Sequence, residues 1–213
     1  MIRIVASVLV ALVALVALLG LSGCAIFGPP GAGDFDVVVV DAGHGGHDPG
    51  ARPRSGRYEK DLALDTAKRL KRALQWRGFR VVLTRDDDTF IPLGDRVKIA
   101  ARTPKSIFVS IHYNHAKNRS GMGIETFYQT GRSARLAGNV QKEMMKAYKT
   151  KDRGVKQRGF YVLRKNSRPS ILVEGGFLSN SSDNSAVQSS RTRQRLADAI
   201  ARGIANERRG KRP

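Results

Sequence analysis

Short apolar runs alternate along the chain with longer stretches in which apolar residues recur every three to four positions. The runs, such as residues 37–40, are rich in β-branched residues and are typical of strands buried on both faces of a sheet. The longer stretches place leucine and alanine on one side of a helix and basic residues on the other. Strands are predicted at residues 36–41, 79–84, 106–111, 123–128, 159–163 and 171–174, and helices at 59–77, 93–102, 133–149 and 192–207. This alternation predicts a three-layer α/β/α domain around a mostly parallel, about six-stranded sheet.

The N-terminus has a different pattern. Arg3 is followed by the almost wholly apolar residues 4–21, as in an export signal, although eighteen such residues are also long enough for a transmembrane helix. The sequence Leu21-Ser22-Gly23-Cys24 resembles the lipobox of bacterial lipoproteins, and Cys24 is the only cysteine among the 213 residues. We therefore expect residues 1–23 to be a lipoprotein signal peptide and Cys24 to carry the lipid.

The domain organisation follows from this signal. Residues 24–34 are rich in glycine and proline and are predicted to be a flexible tether, and residues 35–213 are long enough for one catalytic domain. The expected location is the cell envelope, with a lipid anchor in the membrane. Because Ala25, and not aspartate, follows Cys24, resemblance to lipoprotein sorting signals favours the periplasmic face of the outer membrane in a cell with two membranes.

Net charge narrows the range of partners. The formal charge of +20 favours a polyanion, such as nucleic acid, anionic lipid or an anionic wall polymer. Nucleic acid is not expected, because the chain is predicted to be exported and carries no zinc-finger, helix-turn-helix or RNA-recognition pattern. Most of the basic residues lie on predicted helices, where a solvated face explains them.

Candidate catalytic residues follow the predicted strands. His44 comes after the first strand, His112 after the third and Glu174 at the end of the last, while Glu59 opens the first helix. Ligand sites of α/β sheets lie beyond the carboxyl ends of the strands, so these groups are expected to meet. His44, Glu59 and His112 with an open fourth position are the usual ligands of a catalytic zinc ion.

Other interpretations compete with this one. A single histidine after a strand is more often a surface residue, and a glutamate at a helix start is favourable on the helix dipole alone. His47 and His115 also permit a site of four imidazoles, although that site has no anionic ligand and no open position and suits hydrolysis poorly. Glycines around His44 favour a ligand site, since they let a metal and substrate approach the backbone.

Seven segments together carry a family resemblance. They are VVVVDAGHGGHDPGA, YEKDLAL, VVLTRDDDTFIPLGDRVKIA, FVSIHYN, GIETFY, RGVKQRGFYVLR and PSILVEGGFLSN. In this order and spacing, from about residue 37 to 206, they resemble the zinc-dependent N-acetylmuramoyl-L-alanine amidases of the type-3 amidase family. The departures are small: Ala101 stands where the family often has asparagine, and Gly175 where it often has leucine.

The resemblance implies roles for single residues. His44, Glu59 and His112 would hold Zn²⁺, and Glu174 would be the catalytic carboxylate that takes a proton from the attacking water. Asn114 is a candidate for substrate binding, with a plain turn residue as the equal alternative. The substrate would be peptidoglycan, cut at the amide between the lactyl group of N-acetylmuramic acid and L-alanine of the stem peptide.

Two other functions compete with the amidase. The first is a zinc peptidase that cuts within stem peptides, and the second is a non-catalytic wall-binding lipoprotein, which would have no use for Glu174. Some members of this family that act in cell division have an extra helix after the fourth strand, which lies over the zinc and blocks the site until an activator moves it. Here residues 133–149 fill most of the corresponding stretch, and residues 150–158 are too short for a second stable helix. No obligatory protein activator is therefore predicted.

Overall fold

The computed structural model describes residues 31–210. These residues form six strands and six helices, whose bounds follow in chain order. They are β1 (Val37–Ala42), α1 (Glu59–Gln75), β2 (Arg80–Leu83), α2 (Leu93–Ala101), β3 (Ser106–Asn114), β4 (Ile124–Tyr128), α3 (Gly131–Met144), β5 (Asp152–Gln157), α4 (Tyr161–Arg164), β6 (Ser170–Phe177), α5 (Ser181–Gln188) and α6 (Ser190–Arg208). None of the helices in this range is both long and apolar enough to cross a membrane.

One sheet contains all six strands, in the order β2-β1-β3-β6-β4-β5. Its neighbours are parallel except for β4, which runs antiparallel to β6. The carboxyl ends of β1, β3 and β6 therefore lie at one edge of the sheet, in three adjacent positions. The predicted α/β/α class with a mostly parallel, six-stranded sheet is confirmed.

Two apolar layers hold the helices on the sheet. Helices α1, α3 and α6 bury their leucine and alanine stripes on one face, against strand residues such as Val38, Val40 and Ile111. The other face is thinner: α2 and α4 cover Phe108 and Leu172 there. Burial of these side chains, each worth about 1.5–3 kcal/mol, anchors the strand ends that carry the polar groups.

One predicted strand was wrong, and one strand was not predicted. The predicted strand at residues 159–163 is instead the short helix α4, because Val162 and Leu163 are both buried on the same face, as in a helical turn. The strand that was not predicted is β5, whose sequence DRGVKQ has one apolar residue. An edge strand pairs on one side only and does not require the apolar pattern of a central strand. The polar helix α5 was also not predicted.

The signal peptide and Cys24 lie outside the described residues, and so does most of the predicted tether. The last four tether residues are described, and they already contact the domain. The backbone N–H of Ala32 donates to Glu207 Oε1 over 2.7 Å, and Ala32 is buried. Contacts with the domain are thus already present three residues before the predicted domain boundary at residue 35.

Candidate active site

Three chain segments bring polar side chains to the carboxyl edge of the sheet. His44 follows β1, whose pairing continues through the N–H of Gly43 donating to Ile111 O. His112 lies within β3, near its end. Glu59 is the first residue of α1 and is 3% exposed, because this helix returns the chain across the sheet. The sheet topology brings these residues together, although they lie far apart in the sequence.

His44, Glu59 and His112 meet around one point. Glu59 Oε1 lies 3.0 Å from His44 Nε2 and 2.9 Å from His112 Nδ1. One ligand atom from each residue lies within 4.8 Å of the other two, and the imidazole planes are nearly perpendicular, at 78°. Two nitrogens and one carboxylate oxygen are the donor set of a catalytic zinc site, so these residues fit that metal.

Hydrogen bonds from neighbouring groups orient the candidate ligands. His44 Nδ1–H donates to Asp48 Oδ2 over 2.8 Å, which turns Nε2 toward Glu59. Glu59 Oε2 accepts the N–H of Ala51 over 2.7 Å, and its Oε1 accepts the N–H of Tyr113 over 3.0 Å. Carboxylate partners of histidine are typical of metal sites, where they fix the ring and its tautomer.

Two buried arginines fix the backbone that carries His44. Arg85 donates to Ala42 O over 3.0 Å and to Gly43 O over 2.7 Å. Arg96 donates to Ala42 O and His44 O, each over 2.7 Å. His44 has a φ of 60°, which is uncommon for a residue other than glycine and requires support from its surroundings. The two guanidinium groups supply that support.

Two glycines leave the space that the ligands occupy. A Cβ on Gly43 would lie 2.3 Å from the ring of His112, and a Cβ on Gly50 would lie 2.7 Å from both Glu59 Oε2 and His44 Cδ2. Gly50 also has a φ of +68°. Any side chain at these positions would displace a candidate ligand.

The electrostatics of the cluster favour a bound cation. Burial alone would lower the pKa of His44, but hydrogen bonds and charges of Glu59 and Asp48 outweigh it and raise that pKa. Burial alone would raise the pKa of Glu59, but both histidines hold it well below the usual range. Positive charge is thus stabilised where the three ligand atoms converge, and a metal ion competes there with protons.

Glu174 lies beside this cluster on β6. It pairs in register with His112 on the neighbouring parallel strand, so both side chains leave the same face of the sheet. Its Oε2 is buried and has no hydrogen-bond partner among the described residues. Burial, followed by the charges of Glu59 and Glu125, raises the pKa of Glu174 well above its ordinary value. An unpartnered carboxylate oxygen with high proton affinity suits a group that moves protons.

Glu125 was not predicted from the sequence. It lies on β4 opposite Glu174 and is 2% exposed. Its Oε1 accepts a hydrogen bond from Asn114 over 2.7 Å, and its Oε2 is paired with Arg153 and Lys156. The segment GIETFY contains Glu125, but only the register of β4 against β6 reveals its position beside Glu174.

The remaining histidines do not join the ligand set. His47 is exposed and its ring packs against Phe90, with centroids 4.2 Å apart, while His115 is exposed beyond the end of β3. The four-imidazole alternative is therefore wrong for this structure. Asn114 uses its amide nitrogen on Glu125 and its amide oxygen on the N–H of His115. Its role in substrate binding stays a prediction.

A cleft of about 330 Å³ opens beside the ligands. His44, Asp48 and His112 form its polar end, and Phe90, Leu93, Phe160 and Tyr161 are among the apolar and aromatic groups of its wall. Leu93, Phe160 and Tyr161 are exposed, which is unusual for large apolar side chains in a group. This apolar cleft offers flat surfaces against which a ligand packs next to the candidate metal site.

A family model described as N-acetylmuramoyl-L-alanine amidase matches residues 38–206. Among curated proteins, the amidase LytC of Bacillus subtilis is 39% identical over 172 residues, which are 79% of this chain and 34% of LytC. This chain thus spans about a third of that relative.

Two solved structures have the same fold. The catalytic domain of CwlV, an N-acetylmuramoyl-L-alanine amidase from Bacillus (Paenibacillus) polymyxa, superposes with a TM-score of 0.78 at 38% identity, covering 81% of this chain and 97% of that one. The amidase AmiC2 of Nostoc punctiforme gives a TM-score of 0.76 at 42% identity, covering 80% and 95%.

Proposed function

This chain belongs to the N-acetylmuramoyl-L-alanine amidase family, and on that premise we propose that it hydrolyses peptidoglycan. The bond cut is the amide between the lactyl group of N-acetylmuramic acid and L-alanine of the stem peptide. One observation carries the proposal: the ligand atoms of His44, Glu59 and His112 converge within 4.8 Å beside Glu174 Oε2, which has no hydrogen-bond partner among residues 31–210. A non-catalytic binding protein needs neither a metal site nor a proton acceptor beside it, whereas a metal-dependent hydrolase requires both.

Zinc is the proposed cofactor, held by His44, Glu59 and His112. When bound, it would lower the pKa of a water molecule and polarise the scissile carbonyl. The protein contributes the geometry: Asp48 fixes the ring of His44, and Arg85 and Arg96 fix the backbone of its loop. Such partners reduce the reorganisation needed when substrate enters.

Glu174 is the proposed general base and acid. Its Oε2 takes a proton as water attacks the carbonyl carbon and returns it to the departing nitrogen of L-alanine. The carboxylate needs an environment in which both protonation states are accessible. Burial and the neighbouring charges of Glu59 and Glu125 raise the pKa of Glu174, and a cation held by Glu59 would offset part of this rise.

Metal removal tests the cofactor assignment. Chelation of the purified chain should abolish release of stem peptides, and added zinc should restore it. His44→Ala should lose both the metal and the activity, whereas His47→Ala, a histidine outside the ligand set, should keep both. Full activity of metal-free His44→Ala would refute the assignment.

We further propose a lipid anchor at Cys24, in the envelope and on the periplasmic face of the outer membrane where two membranes exist. The support is the lipobox-like sequence at residues 21–24. Cys24→Ala should leave an unprocessed chain that incorporates no labelled fatty acid. Equal labelling of the variant and the unmodified chain would refute the anchor.

We also expect activity without a protein activator. Residues 129–158 contain α3 and the edge strand β5. Helix α3 packs on α6 and the sheet, with Leu136, Val140 and Met144 buried. An assay of the purified chain alone, loaded with zinc, tests this expectation, and turnover that begins only when an envelope extract is added would contradict it.

A further inference from the structure

A second cleft lies at the same edge of the sheet as the candidate active site. It has a volume of about 510 Å³, and we call it the basic cleft. It is lined by Arg52, Pro53, Arg54, His115, Ala116, Lys117, Arg119 and Ser179. These residues come from the loop after β1, which also carries His44, and from the segments that follow β3 and β6, the strands that carry His112 and Glu174.

The cations of the basic cleft have no counter-charge among residues 31–210. Arg52, Arg54, Lys117 and Arg119 are exposed and form no ion pair among the residues that the structure describes, and no described carboxylate lines the cleft. Nearby Lys60 differs, since it pairs with Asp88 over 2.6 Å. Four like charges around one cavity repel each other, and an anionic ligand removes that repulsion.

Backbone contacts hold the walls of the basic cleft in place. The N–H of Arg54 donates to Leu178 O over 3.0 Å, and the N–H of Ala116 donates to Ser179 Oγ over 3.0 Å. The carbonyl of Arg119 accepts the side-chain amide of Asn180 over 3.2 Å. Both cationic segments are therefore joined to the turn after β6, and the cleft exists before a ligand binds.

The loop after β1 connects the basic cleft to the candidate active site. Its first part carries His44 and Asp48 at the apolar cleft, and its later part carries Arg52 and Arg54. Between them, Ala51 donates its N–H to Glu59 Oε2 over 2.7 Å, so Arg52 is one residue from a direct contact with a candidate ligand. The loop after β1 thus contributes to both clefts, one apolar and one basic, and contacts a candidate ligand between them.

This inference rests on the proposed function. The scissile amide joins an uncharged glycan to a peptide that bears free carboxylates. Sugar rings pack well on apolar and aromatic surfaces such as the wall with Phe160 and Tyr161, whereas carboxylates bind guanidinium and ammonium groups. We propose that the basic cleft binds the free carboxylates of the stem peptide and so orients the substrate across the metal site.

Two soluble probes test the proposal on the full-length chain in detergent. They are N-acetylmuramoyl-L-alanyl-D-glutamate with free carboxylates and the same compound with both carboxylates amidated. The double variant Arg52→Gln/Lys117→Gln removes two charges from the basic cleft. The control Arg72→Gln/Arg209→Gln removes two exposed charges at the C-terminal ends of α1 and α6, far from the carboxyl edge.

The ratio of kcat/KM for the carboxylate probe over the amidated probe is the measurement. We expect the cleft variant to lower this ratio about tenfold, as the loss of two exposed ion pairs predicts, and the control to leave it as in the unmodified chain. Raising the salt concentration from about 0.05 M to about 0.5 M should lower the ratio too. An unchanged ratio in the cleft variant, or an equal fall in the control, would overturn the proposal.

Calorimetry with the dipeptide L-alanyl-D-glutamate and its amidated form separates this proposal from the amidase proposal. One possible result is that neither probe is hydrolysed, while the charged dipeptide still binds more tightly than its amidated form and the cleft variant loses that difference. The amidase proposal then fails, and the basic-cleft proposal stands. If both probes are hydrolysed with equal kcat/KM, the amidase proposal stands and the basic-cleft proposal fails. Tighter binding of a glycerol-phosphate oligomer than of the dipeptide would reassign the cleft to phosphate polymers and overturn the proposal.

Discussion

Glu125 and Glu174 lie opposite each other on the antiparallel strands β4 and β6, yet their environments differ. Glu125 accepts a hydrogen bond from Asn114 and is paired with Arg153 and Lys156. Glu174 Oε2 has no such partner in the described part of the chain. The two neighbouring carboxylates thus differ in their contacts: Glu125 is bound by three side chains, whereas the raised pKa of Glu174 suits a group that exchanges a proton.

The first prediction concerns Glu174. Glu174→Gln keeps the size of the side chain and removes its proton acceptor, so kcat should fall by a factor of about 10²–10⁴. Zinc content should stay at that of the unmodified chain, because Glu174 is not among the three converging ligands. Atomic absorption on the purified variant, together with its rate of stem-peptide release, checks both points.

Asp86→Asn is a suitable control for Glu174→Gln, since it removes an exposed carboxylate. The rate of stem-peptide release and the zinc content of this variant should equal those of the unmodified chain. A Glu174→Gln preparation that has lost its zinc would make Glu174 a ligand and contradict the assigned roles of the two glutamates.

The second prediction concerns Arg85, which donates through its guanidinium to the carbonyls of Ala42 and Gly43. Lysine keeps the charge but is unable to reproduce the forked geometry. Arg85→Lys should therefore weaken zinc binding about 10–100-fold, as the loss of supporting contacts does at metal sites. Competition with a fluorescent chelator measures this affinity. The exposed Arg102→Lys should bind zinc normally, and equal affinity in both variants would refute the supporting role of Arg85.

The third prediction is a pH dependence of stability. Burial alone would raise the pKa of Asp65, but hydrogen bonds from Arg69 and Arg193 outweigh it and hold the pKa below its ordinary value. Asp65 then contributes stability that is fully present above the pKa of the unfolded chain and is lost as pH falls through the lower folded pKa. Asp65→Asn should cost about 2 kcal/mol of unfolding free energy at pH 7, because it leaves the buried Arg193 without its charged partner.

Urea unfolding at several pH values measures this contribution. The free-energy difference between Asp65→Asn and the unmodified chain should be constant above about pH 5 and should shrink as the pH falls below about 4. The exposed Asp86→Asn again provides the control. A difference that grows on acidification would contradict the sign derived from the pKa.

Strands buried in the middle of the sheet were predictable because their apolar runs are rich in β-branched residues, which favour a strand. This holds for β1, β3 and β6, and their order along the chain already placed His44, His112 and Glu174 at one edge. The edge strand β5 was missed because a strand with one neighbour requires little apolar burial. Helix α4 was mistaken for a strand, since four apolar residues in succession suit both structures.

The supporting residues were beyond sequence reasoning for a different reason. Arg85 and Arg96 act on carbonyls about 40 to 55 positions away along the chain, and nothing in their local pattern distinguishes them from solvated arginines. The position of Glu125 depends on the antiparallel register of one strand pair. Contacts of this kind arise only when the sheet is assembled.

Product analysis of digested peptidoglycan tests the amidase proposal most directly. The purified chain, loaded with zinc and without any partner, should release intact stem peptides whose N-terminal residue is alanine, and the glycan strands should keep their length. Mass spectrometry identifies both products. Stem peptides that stay attached to the glycan but become shorter would show a peptidase, and a wall that is bound but unchanged would show a binding protein; either result would contradict the account.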